Sequence, residues 1–92
     1  MNGTTMNELY NYLKNAHEIS FQLAGVEYSL ESDESFLSMW KYKGDEGTCI
    51  AKTEIFAHED FKSALDALLS IKCLDGKSFI DSEREIDIDV IY

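Results

Sequence analysis

Hydrophobic positions change their spacing several times along this chain, and each change predicts an element. Phe61, Ala64, Leu65, Leu68 and Leu69 follow i, i+3, i+4, i+7 and i+8, the spacing of one helical stripe, with Asp60, Lys62, Asp66 and Ser70 on the other side. The pattern predicts a helix over Ala57–Ser70, too short to be stable alone, so its stripe must pack on something. Near the start, Met6, Leu9, Tyr10 and Leu13 share the same spacing and predict a short helix over Met6–Asn15. Thr5-Met6-Asn7-Glu8 fits a capping box at its head, and Lys14 and His17 suit its negative end.

Between the two helices the period drops to two. Ile19, Phe21 and Leu23 alternate with Ser20 and Gln22; after a tight turn at Ala24-Gly25, Val26, Tyr28 and Leu30 repeat the alternation, which predicts a β-hairpin. An acidic connection, Glu31–Glu34, leads to a third strand over Ser35–Lys43. That strand is apolar on both faces, with Phe36, Trp40 and Tyr42 on one and Leu37 and Met39 on the other, as expected of a central strand whose second face is covered by a helix or a partner chain. Gly44–Gly47 reads as a turn and Thr48–Phe56 as a fourth strand. Asp75-Gly76 marks a further turn, residues 77–84 fit either a loop or a single helical turn, and Glu85–Tyr92 alternates again. In that last segment Ile86, Ile88, Val90 and Tyr92 are expected on one face. The expected fold is α+β: an antiparallel sheet of four to five strands with two helices packed on it, order αββββαβ, as a single domain over 1–92.

Charge changes the picture more than size does. Eighteen acidic residues oppose eight basic ones, for a net charge of −10, while 45% of the chain is hydrophobic, which argues against disorder. Direct nucleic-acid or anionic-membrane binding needs clustered Lys and Arg, so the charge points to a basic protein partner instead. No apolar run is long enough for a membrane span or a signal sequence. The two cysteines, Cys49 and Cys73, make no disulfide framework, and with no secretion signal the expected compartment is the cytoplasm.

No catalytic motif emerges, and no cofactor is expected. Gly76-Lys77-Ser78 matches only the end of a phosphate-binding loop, since Ile71 stands where the motif needs its first glycine. His17, His58, Cys49 and Cys73 form no close ligand pair of the kind zinc requires. A Cys–His nucleophilic pair has no local signature. Asp87 and Asp89, spaced i and i+2 on a strand, stand about 6.8 Å apart, too wide for tight magnesium capture without other ligands. What remains is a row of carboxylates, Asp81, Glu83, Glu85, Asp87 and Asp89, which a rigid strand would present at regular intervals with Tyr92 at its end. Such a row imitates a phosphate backbone to a basic channel; a solvated strand face is the plain alternative. Carboxylates mixed with exposed aromatics, for which Tyr12, Tyr42 and Tyr92 are candidates, would strengthen the mimic.

Ile19-Ser20-Phe21, Glu27–Leu30, Trp40, the Phe61–Leu69 helix and Leu74–Phe79 together resemble small acidic uncharacterised proteins of Gram-positive bacteria and their mobile elements. In size, charge and layout the chain is also similar to phage-encoded anti-CRISPR proteins. That resemblance implies a non-enzymatic inhibitor that covers the DNA-binding surface of a Cas effector. The same character suits an immunity protein against a toxin nuclease. A small oligomerising domain, paired as a homodimer through the third or last strand, is the other alternative, and an enzyme comes last.

Overall fold

The computed structural model describes residues 6–15 and 18–91, with side chains over 8–14 and 18–88. Its elements run α1 (Met6–Asn15), β1 (Glu18–Leu23), β2 (Val26–Ser32), β3 (Phe36–Lys43), β4 (Glu46–Glu54), α2 (Phe61–Leu69) and β5 (Asp87–Ile91), with short 3-10 turns at Ile55–Ala57 and Glu83–Glu85. The expected αββββαβ order holds, and the five strands form one antiparallel sheet in the order β4-β3-β2-β1-β5. The Thr5 half of the capping box and His17 lie outside the described residues.

Turn chemistry fixes the register. Ala24 and Gly25 both take positive φ, 52° and 77°, as a two-residue hairpin turn whose twist matches its strands requires. This sets Leu23 opposite Val26 and Phe21 opposite Tyr28. The third turn is tighter than its composition suggests: only Gly44 and Asp45 are outside the strands, and β4 begins at Glu46, opposite Lys43. β4 also ends earlier than its apolar run implies, because Ile55-Phe56-Ala57 winds into a 3-10 turn.

The second helix starts at Phe61, the first residue of its stripe and four residues after the expected start at Ala57. Asp60 takes an extended backbone and its carboxylate accepts the Ser63 N–H at 2.8 Å, which makes it the N-cap. His58 therefore precedes the helix and closes the 3-10 turn. Both helices pack on one face of the sheet. Leu9 and Leu13 from α1, and Ala64, Leu65, Leu68 and Leu69 from α2, are buried with Ile19, Phe21, Tyr28, Leu30, Leu37 and Met39 of the strands. Tyr10 and Phe61 join the helices edge to face at 5.5 Å. Leu65 and Leu68 share a core with Phe21 and Tyr28, but α2 itself lies over β3 and β4. The part of the sheet under Phe21 is covered by the irregular stretch between α2 and β5. Phe79 from that stretch meets Phe21 edge-on at 5.1 Å, and Phe21 stacks on Tyr28 at 5.3 Å. Leu74 and Ile86 are buried beside them.

Two bulges interrupt the sheet. Between β3 and β4, Met39 pairs with Ala51 but Trp40 with Cys49, so Ile50 is the extra residue. Between β1 and β5, Phe21 pairs with Ile88 but Ser20 with Val90, so Asp89 is skipped. The single face expected for Ile86, Ile88, Val90 and Tyr92 is therefore not kept: past the bulge it is Ile91 that stands opposite Ile19. Tyr92 lies outside the described residues.

Candidate functional site

The carboxylate row expected along residues 81–89 does not form one strand face. Asp81 sits in a turn, where its N–H donates to Ser78 Oγ at 3.0 Å and its carboxylate faces the Ser78 N–H at 3.5 Å. Glu83 and Glu85 belong to a 3-10 turn, in which neighbouring side chains diverge instead of aligning. The physical reason lies in the intervening residues: Ser82 and Ile86 are buried at 1% exposure, and the backbone winds to place them. A small depression at this turn is bordered by Lys77 and Arg84 as well as by Asp81, Glu83 and Glu85, so the local charge is mixed. Asp87 alone of the described set is exposed on a strand; Asp89 falls at the bulge, its side chain outside the description.

A different acidic surface emerges from the pleat. Because Phe21, Tyr28, Leu30, Leu37 and Met39 face the helices, their strand neighbours face away, onto a side of the sheet that neither helix covers. On β3 this sends Lys41 and Lys43 to the helix side and Phe36, Ser38, Trp40 and Tyr42 to the open side. Reading across strands by register, Asp87, Gln22, Glu27 and Tyr42 make one row of the open face. Ser20, Ser29 and Trp40 make the next, and Glu18, Glu31, Ser38 and Lys52 the third.

The aromatics on this face are held in place. Trp40 donates its Nε1–H to Ser38 Oγ at 3.0 Å. Tyr42 rests against Gly47 of the edge strand; a Cβ at Gly47 would come within 2.8 Å of the ring and force it to shift, so glycine lets the ring lie where it does. Lys52, a lone cation among these rows, has its ammonium 3.9 Å from the centre of the Phe36 ring, a cation–π contact. The carboxylates are less comfortable. Glu18 and Glu31 stand directly opposite each other on β1 and β2, an arrangement that destabilises a sheet. Burial, followed by the Glu18 charge, pushes the Glu31 carboxyl above its ordinary value, with a long Ser29 hydroxyl contact of 3.5 Å working the other way.

Other chemistry is sparse. Among the described residues no three His, Cys, Asp or Glu side chains cluster as metal ligands. Cys49 and Cys73 are free thiols; Cys73 lies 3.6 Å from the Met39 sulfur, and burial pushes its thiol up, away from the reactive thiolate. No helix among the described residues is long and apolar enough to cross a membrane. No protein-family model matches this chain, and no curated protein or solved structure matches it significantly.

The aromatics of this face were readable in the sequence as the second apolar side of Phe36–Tyr42, but neither helix supplies the cover expected for that side. What the sequence lacks is the register that sets Glu27 and Glu31 beside them.

Proposed function

We propose that this chain is a non-enzymatic, cytoplasmic protein-binding module that inhibits a basic nucleic-acid-binding protein, in the manner of a nucleic-acid mimic. The observation that carries the reading is the uncovered sheet face, where Trp40 and Tyr42 sit among Glu18, Glu27, Glu31 and Asp87 while the nearest lysine is engaged on Phe36. Glu18 and Glu31 stand about 5 Å apart on neighbouring strands, and Glu27 and Asp87 flank Gln22 in another row, so the hydrogen-bonded sheet spreads the carboxylates over one face. Arginine or lysine side chains from a basic channel gain both salt links to the carboxylates and cation–π contacts with the rings. The anti-CRISPR-like character of the sequence suits a Cas effector as the target, and a toxin nuclease offers the same basic chemistry.

Competition for DNA loading tests the proposal, run with candidate Cas effectors and toxin nucleases. Trp40 is the chain's single tryptophan, so its emission reports contact at the face directly. Replacing Glu27 and Glu31 with glutamine is expected to weaken inhibition and the fluorescence change by about tenfold or more. The same exchange at Asp81 and Glu83 is expected to do much less. Equal, small effects from both pairs would reduce the charge to a general property of the surface and sink the assignment.

A further inference from the structure

At one end of the molecule an open groove of about 590 Å³ lies between the last turn of α1, the β2–β3 turn and the start of α2. Leu13, Ile55 and Phe61 supply its apolar lining, and Asp33, Glu34 and Lys14 its polar groups. The size falls within the range of about 300–1,000 Å³ typical of small binding sites. Asp33 is a fixed anion: its carboxylate accepts the Ser35 and Phe36 N–H groups at 2.8 and 2.7 Å, and these bonds hold its carboxyl below the usual range. Beside the groove in sequence, Phe56 is 82% exposed at the 3-10 turn. A phenylalanine this exposed contributes almost nothing to its own core, and it follows Ile55 of the lining directly in sequence.

We infer that this groove docks a short segment of a partner protein in which an apolar side chain is flanked by lysine or arginine. The apolar side chain seats against Leu13, Ile55 and Phe61, exposed Phe56 beside Ile55 is free to add a contact from outside, and the cation meets Asp33 and Glu34. Charge decides the occupant. Of the residues that line the groove, Asp33 and Glu34 face one lysine, Lys14, with Lys52 acting on Asp33 from outside the lining, and the chain as a whole carries −10, so a cationic segment is attracted. A second copy would bring a net charge of −10 against its like. The groove shares with the open sheet face only the cationic character of its partner, so the two surfaces can fail separately.

The test uses three synthetic peptides titrated into the isotope-labelled full chain and followed by amide chemical shifts. One carries leucine and phenylalanine flanked by lysine and arginine, one the same apolar residues flanked by glutamate, and one serine in the apolar positions. The first is expected to shift Leu13, Ile55 and Phe61, and to bind about tenfold more weakly to Glu34→Lys and to Phe56→Ser. Both substitutions fall on exposed positions, so the fold is retained. Glu27→Gln on the open face is expected to leave this binding unchanged. Equal binding by the glutamate-flanked peptide, or absence of shifts at the groove, overturns the inference. So does sensitivity to Glu27→Gln with none to Glu34→Lys, which would move the peptide to the sheet. A concentration-dependent dimer abolished by Phe56→Ser would give the groove to a second copy instead.

Discussion

Glu31 shows how a single side chain registers the tension on the open face. Its carboxyl is pushed up by burial and by Glu18 opposite, so the folded state holds its proton more tightly than the unfolded chain does. The stabilisation linked to that proton is fully present below the unfolded pKa and is lost as pH rises through the raised folded value. At neutral pH ionised Glu31 therefore costs stability, and Glu31→Gln should be more stable than the parent by about 0.5 kcal/mol, the scale of a like-charge cross-strand pair. Below about pH 4, where glutamate is protonated, the gain should disappear. Urea titrations of both proteins across that range check it; a gain independent of pH would trace to something other than the charge. Neither residue is conspicuous in the sequence, because only the Ala24-Gly25 turn brings them opposite each other.

At the scale of elements, periodicity made most of the architecture legible. The helix over Met6–Asn15 and the two strands of the first hairpin follow directly from spacing and turn residues. Boundaries moved where a local hydrogen bond set the end of an element, as when Asp60 capped α2 at Phe61 and left Ala57, His58 and Glu59 outside the helix. The stretch between α2 and β5 hid its role, since irregular backbone has no period to read. It nonetheless buries Leu74, Phe79 and Ile86. Phe79→Ala should cost about 3–5 kcal/mol and Leu65→Ala about 2–5 kcal/mol, because both leave cavities in a closed core. Denaturation midpoints test this directly. A Phe79→Ala midpoint close to the parent's would demote the stretch to a surface loop. The acidic stripe was misplaced for a related reason: period two was carried back through residues 81–85, where buried Ser82 and Ile86 wind the chain into a turn.

Across the whole molecule, charge and shape are divided by the sheet. One side is closed by helices and the Phe79 stretch, and the other presents aromatics and carboxylates to whatever approaches. The net charge was visible in the sequence, but its distribution was not, since faces are assigned by register and by two bulges that no local motif announces. If the open face engages a basic partner, affinity should fall steadily as salt rises past the point where screening acts within about 8 Å. Affinity indifferent to salt would argue for apolar contact alone. The strand order also sets a timetable. β1 to β4 are neighbours in sequence and zip together through short turns, whereas β5 returns to β1 only after α2 and the whole irregular stretch have been threaded. Closing that long loop costs entropy before any contact compensates it, so β5 should dock on the native side of the folding barrier. Leu30→Ala should then slow refolding, while Ile88→Ala should leave refolding nearly untouched and speed unfolding. Stopped-flow chevrons would separate the two, and a slowed refolding arm for Ile88→Ala would place β5 in the nucleus. With β5 docking last and leaving first, the same strand governs how long each folded molecule survives.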